Sequence, residues 1–235
     1  MNKSWFSFIA TVNIIDIMKN KKSILTIEKV ETKNNLILDE DVLTLKEKVL
    51  NITKKNYRHT FIDIFNDLEI IKNENSKSVN NRIKNYSKND DFKNTLDILE
   101  ENITLYQHTK NVINFSISCT EDSPDVIKAI VILFALTHDF GKSKYILNDV
   151  IRNNSNIYSN TRHDIVSSYY LKKILIKNQN FDMLEKSHIE FLCNVLENQH
   201  SDSNVNNEIL ELFYKADSLA REYELNSINN KEEII

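Results

Sequence analysis

One glycine and one proline in 235 residues constrain the fold of this chain more than any other feature. Tight hairpins, β-sandwiches and phosphate-cradling loops need glycine at positive φ or proline in turns. Their near absence predicts helices joined by Asn-rich loops. A Rossmann or P-loop enzyme is excluded, because no glycine-rich loop exists anywhere in the chain. Hydrophobic residues make up 41% and charged residues 27%, as in ordinary globular domains. A chain of this length builds a core without a disulfide or metal staple.

The net charge of −4 supplies no global basic field for nucleic acid. Cys119 and Cys193 lie in apolar surroundings without a CxxC pairing, and read as buried thiols in a reducing compartment. The apolar stretch Trp5 to Met18 carries Asn13 and Asp16 and is shorter than the roughly 20 residues of a spanning helix. Lys19, Lys21 and Lys22 follow it rather than precede it, which is not the order of a signal peptide. A packed amphipathic helix is expected there, in a cytoplasmic protein with no membrane partner.

Along the chain, residues 1–20 are expected to be helical and residues 23–38 to form one β-hairpin. Asp39 to Asp41 open a helix whose apolar stripe is Val42, Leu43, Leu45, Val49 and Leu50. Residues 72–91 are rich in Lys, Asn and Ser and read as a linker. This divides the chain into an N-terminal extension, 1–90, and a helical domain, 91–235. Phe92, Leu96, Leu99, Ile103, Val112 and Phe115 keep a helical period to about Ser118. Ser123-Pro124-Asp125 combines a capping hydroxyl, a first-turn proline and a first-turn acid. The following helix, to Thr137, is apolar nearly all round and is expected at the centre. Gly141 is expected to end it as a left-handed cap. Residues 142–160 read as a polar loop, and further helices are expected at 161–178, 182–199 and 206–224.

His138-Asp139 lies where the central helix ends. An adjacent imidazole and carboxylate can both ligate one cation, and a carboxylate can bridge two. His108 shares a helix face with Val112 and Phe115. His163 opens a later helix, His200 closes the next, and Asp217 falls on or beside an inward stripe between Phe213 and Ala220. An acid there must be paired or metal-bound, because burying an uncompensated charge is costly.

His108-Thr109-x-x-Val112, Leu136-Thr137-His138-Asp139-Phe140-Gly141-Lys142, His163-x-x-x-Ser167, His200 and Ala216-Asp217 follow one another in the order His…His-Asp…Asp. In this the chain resembles the HD-domain metal-dependent phosphohydrolases over roughly residues 95–225. The resemblance implies an all-α HD-type bundle, here with a small N-terminal helix and β-hairpin extension. It implies that His108, His138, Asp139 and Asp217 ligate a first metal, and that His163 and His200 hold a second with Asp139 bridging. Lys142 matches a lysine that faces the substrate phosphate in many members. Two divalent transition metals are implied, from Fe, Mn, Co, Ni or Zn. The implied activity is cleavage of a phosphoester in a nucleotide or related small phosphate compound by a metal-bound hydroxide.

Phe140-Gly141-Lys142 after the central pair departs from the stringent-response hydrolases, which place two acids there. Ser201-Asp202-Ser203 after His200 lacks the Gly-Tyr-Pro element of the cyclic-dinucleotide phosphodiesterases. Two readings from other classes stay open. One is a relaxase- or nuclease-like DNA-processing protein of a mobile element, using the basic run Lys72, Lys77, Arg82, Lys84 and Lys88. The other is a non-catalytic regulatory module of HD fold. Arg162 joins Lys142 as a candidate substrate-binding cation, while Arg152 is an ordinary loop charge or a further one. His59 repeats the His-Thr dipeptide but has Asp63 in place of an apolar residue four positions on, and is expected at the surface. His188, near three turns before His200, matches no motif position.

Overall fold

The computed structural model describes residues 42–79, 90–199 and 208–232. Among them the chain forms nine α-helices: α1 (Val42–Ile52), α2 (Arg58–Lys72), α3 (Asp90–Asn102), α4 (Leu105–Cys119), α5 (Asp125–Thr137), α6 (Lys144–Asn153), α7 (His163–Asp182), α8 (Lys186–Glu197) and α9 (Glu208–Glu232). A short 3₁₀ turn, Phe140–Lys142, joins α5 to α6. No strand occurs among the described residues; the one β feature is an isolated antiparallel bridge between Lys77 and Thr104. The chain is therefore an all-α bundle. The expected helix over 1–20 and hairpin over 23–38, and residues 80–89 of the expected linker, lie outside the described residues.

The sequence of α5 dictates its place. Ala129 to Leu136 are all buried, because a helix apolar on every face is stable only when neighbours cover every face. Those neighbours are α4, α9, α1, α2 and α7. The helices α1 and α2 belong to the same core: Val42, Leu45, Val49, Phe61, Ile64, Phe65, Leu68 and Ile71 are buried in one cluster with α5. The described part of residues 42–79 thus packs into the bundle that carries the histidines.

Three local expectations are corrected. The helical period seen from Phe92 to Ser118 is two helices, not one. Thr104 breaks it with a capping box, its side chain accepting from Gln107 N at 3.2 Å while Gln107 Oε1 accepts from Thr104 N at 2.9 Å. Residues 144–153, expected to be loop, form α6: Ser143 caps it through Ile146 N, and Ile146 and Val150 one turn apart are buried.

Gly141 is the third. It is not a left-handed cap, since no glycine of the described chain has positive φ. The residue is needed for space: a Cβ there would lie 2.1 Å from His163 O and 2.8 Å from Val166 Cβ. Only glycine lets the first turn of α7 press against the turn that follows α5. A smaller difference is that Pro124 itself is the N-cap of α5, with no side-chain cap bond.

No described helix is long and apolar enough to cross a membrane. Cys193 is buried and Cys119 half-buried, and both are free thiols. Burial pushes the Cys193 thiol up to about 12.

Candidate metal centre

Five elements bring the site together. The helix α4 supplies His108, the end of α5 supplies His138 and Asp139, the 3₁₀ turn supplies Lys142, the start of α7 supplies His163, and α9 supplies Asp217. The His138–Lys142 turn is fixed by Ser167 of α7, whose hydroxyl donates to His138 O and accepts from Gly141 N, each at 2.9 Å. Gln199 Nε2 donates to the same carbonyl at 3.3 Å.

Both inner histidines have a defined tautomer. His108 Nδ1 lies 2.9 Å from Glu224 Oε1, and a carboxylate only accepts, so Nδ1 carries the hydrogen. His138 Nδ1 likewise faces Ala135 O at 3.0 Å. Each Nε2 is thereby turned toward the interior of the cluster. His108 Nε2 is 3.1 Å from Asp217 Oδ1 and 3.9 Å from Asp139 Oδ2. His138 Nε2 is 3.4 Å from Asp139 Oδ2. Yet His108 Nε2, His138 Nε2 and Asp217 Oδ1 are all buried and none is aligned in a hydrogen bond.

Buried polar atoms without partners are rare, because each costs a desolvation penalty of about 1–3 kcal/mol. Here they converge: one ligand atom from each of His108, His138 and Asp217 lies within 4.8 Å of the others. Two imidazole nitrogens and a carboxylate oxygen aimed at a common point form a group that could hold a divalent metal ion. The metal implied by the resemblance therefore fits these three residues.

Electrostatics keep the carboxylates ionised. Burial opposes ionisation of Asp139, but the Lys142 ammonium, His138 and His163 outweigh it and hold the carboxyl well below the usual range. Lys142 Nζ lies 2.6 Å from Asp139 Oδ2. Burial likewise opposes ionisation of Asp217, and the neighbouring His108 and His138 bring its pKa to about 2. The other oxygen of Asp139, Oδ1, faces His163 Nε2 at 3.4 Å. Asp139 thus lies between the His108–His138 pair on one side and His163 on the other. His200, expected to join His163, lies outside the described residues.

Of the other candidates, Arg162 stands apart from the cluster, while His59 is at the surface as expected and His188 lies outside the site. Arg162 is the N-cap of α7 and its guanidinium forms a two-pronged pair with Asp164. His59 is half-exposed in the first turn of α2, against Phe181 and Asp182. His188 bonds to Tyr57 OH at 3.0 Å.

Three participants were not read from the sequence: Glu224 and Arg221 on α9, and Asn111 on α4. Asn111 Nδ2 donates to Glu224 Oε1 at 2.9 Å, and Arg221 donates to Glu224 Oε2 at 3.1 Å. Spacing was the available signal. Residues 221 and 224 stand one and two helical turns beyond Asp217, on the face that an inward Asp217 defines. No family model matches the chain, and neither the curated proteins nor the solved structures contain a match to it.

Proposed function

We propose that this protein is a metal-dependent phosphohydrolase of the HD type, acting on a phosphoester of a nucleotide or related small phosphate compound. One observation supports this reading above the others. Two histidines with fixed tautomers and one carboxylate leave three buried, unpartnered ligand atoms facing one point, with the cation Lys142 beside them. Open metal ligands beside a cation favour a site that polarises a phosphate over a non-catalytic regulatory module.

His108, His138 and Asp217 would hold the first metal, with Asp139 completing the set. Asp139, His163 and His200 would hold a second. Bound there, a divalent metal supplies Lewis acidity toward a phosphoryl oxygen and an acidified water. The chain's own residues do the rest. Glu224 and the Ala135 carbonyl orient the two imidazoles and keep each Nε2 lone pair inward. Lys142 offsets charge that develops on the phosphoryl oxygens. The buried surroundings of His108 and Asp139 strengthen both effects by excluding water. Cytoplasmic placement is part of the same proposal, supported by the two unpaired thiols.

The test is elemental analysis of the wild-type chain and Asp139→Ala side by side, followed by a panel of phosphoesters with and without chelator. About two transition-metal ions per chain, lost in the variant, and chelator-sensitive release of phosphate support the reading. One ion per chain removes the second-metal role of His163 and His200. A chain that binds no metal after reconstitution is not an enzyme of this type.

A further inference from the structure

Lys142 and Arg221 converge on one main-chain oxygen. Lys142 Nζ donates to Ser78 O at 2.7 Å. Arg221 donates to the same oxygen through NH2 at 3.3 Å and to Ser78 Oγ through NH1 at 3.0 Å. Ser78 is fully buried and is pinned to the start of α4 by two backbone bonds, Ser78 N to Ile103 O at 3.2 Å and Leu105 N to Ser76 O at 2.7 Å. A fixed strut from the segment after α2 therefore holds two cations from different helices side by side.

Placing two cations together is unfavourable unless anions compensate them. Asp139 Oδ2 does so at 2.6 Å from Lys142 and 4.0 Å from Arg221, and Glu224 Oε2 at 3.1 Å from Arg221. Compensation is incomplete in hydrogen-bonding terms. An ammonium has three N–H groups and a guanidinium five. Ser78 O and Asp139 take two from Lys142, and Ser78 and Glu224 take three from Arg221. The remaining N–H groups have no acceptor among the described residues. Both side chains still reach solvent, at 11% and 22% exposure.

We propose that Lys142 and Arg221 form an oxyanion subsite for a terminal phosphate, so that the substrate is a phosphomonoester or the terminal phosphate of a nucleotide rather than an internal diester. This deepens the phosphohydrolase reading and rests on it for the identity of the ligand. A terminal phosphate offers three unbridged oxygens and close to two negative charges near neutral pH. The planar fork of Arg221 suits two acceptor oxygens, and the point charge of Lys142 suits a third contact. A diester offers only two free oxygens and one charge, too few to meet both cations and a neighbouring metal. The excess of the three carboxylates, Asp139, Asp217 and Glu224, over these two cations is one charge, which a divalent ion on the His–His–Asp group converts to one positive.

The experiment is isothermal titration of the full chain, with and without Mn²⁺, using inorganic phosphate and dimethyl phosphate. Wild type is expected to bind phosphate at least about tenfold more tightly than dimethyl phosphate. Arg221→Gln is expected to lose about 10- to 100-fold of phosphate affinity, the value of a charge-assisted contact, with dimethyl phosphate little changed. Arg221→Lys restores the charge but not the fork, and should recover only part. Equal affinity for the two anions, or an unchanged Arg221→Gln, overturns the subsite. Should Arg221→Gln lose metal through Glu224, the titration without Mn²⁺ decides, and an unchanged phosphate affinity there also overturns the proposal. Phosphate binding without hydrolysis of any phosphoester would sink the enzymatic reading and leave the subsite standing. Hydrolysis of diesters alone would do the reverse.

Discussion

His108 Nδ1 and Glu224 Oε1 meet at 2.9 Å with both side chains fully buried, joining α4 to α9 beneath the metal-ligand cluster. The carboxylate orients the imidazole and leaves Nε2 turned inward, where it could serve as a ligand atom. Glu224 is itself held by Asn111 and Arg221. Burial opposes its ionisation, but His108 and Arg221 lower its pKa below the usual value.

Glu224→Gln keeps the shape and an acceptor oxygen but removes the charge. Metal affinity is expected to fall about 10- to 100-fold, as for other residues that orient a ligating histidine. Competition titration with a chromogenic chelator reads this directly. An unchanged affinity in a folded variant would remove Glu224 from the site.

Asp217→Asn should separate metal binding from folding. In the wild type, His108 Nε2 and Asp217 Oδ1 face each other at 3.1 Å, out of line for a good hydrogen bond. Asparagine keeps a polar partner of the same shape for that nitrogen, so the metal-free variant is expected to fold with a stability close to that of metal-free wild type. A saturating divalent ion should stabilise wild type by roughly 2.7 kcal/mol at 100 times its dissociation constant, and leave Asp217→Asn unmoved. Thermal melts with and without chelator test both halves. A variant still stabilised by metal would place the ligand set elsewhere.

Much of this was legible in the sequence because strong periodicity carries it. The all-apolar run from Ala129 to Leu136 marks the central helix, and inward positions of His108 and Asp217 follow from their spacing to Val112, Phe115, Phe213 and Ala220. What the sequence concealed depended on contacts between distant segments. The α6 stripe of Ile146, Leu147, Val150 and Ile151 is short and embedded in Asn, Lys and Tyr, so composition outweighed its period. Ser78 shows no distinguishing local pattern; its role exists only because residues 76–78 pair against 103–105. Glu224 and Arg221 were readable by spacing once Asp217 was placed, but charged residues on a long helix are usually solvated.

Gly141→Ala should be severe for a steric reason. The added Cβ would fall 2.1 Å from the His163 carbonyl oxygen, a backbone atom that cannot rotate away. The first turn of α7 must retreat, carrying His163 from Asp139 Oδ1, now 3.4 Å away, and straining the Ser167 bonds to His138 O and Gly141 N. A loss of about 3 kcal/mol or more is expected, at the upper end for overpacking. Urea unfolding measures it. A left-handed cap would lose far less from alanine, so a loss under about 1 kcal/mol would contradict the close-approach account.

The stability of the α2–α8 contact should depend on pH through His188. Tyr57 OH lies 3.0 Å from His188 Nε2. Burial, and the Asp182 carboxylate nearby, raise the Tyr57 pKa far above neutrality, so the phenol is the donor and the imidazole nitrogen must be the acceptor. Burial lowers the His188 pKa below 6.5, against a smaller opposing pull from Glu185. In the unfolded chain the same histidine titrates near 6.5. Between those two values the unfolded state binds the extra proton, so stability falls as pH falls below about 6.5 and levels once the folded imidazole also protonates. His188→Gln keeps an acceptor for Tyr57 OH and removes the titration. Urea midpoints of chelator-treated protein at pH 7 and pH 5 should therefore drop further for wild type than for His188→Gln. Equal drops would show that His188 has no part in the acid sensitivity of the fold.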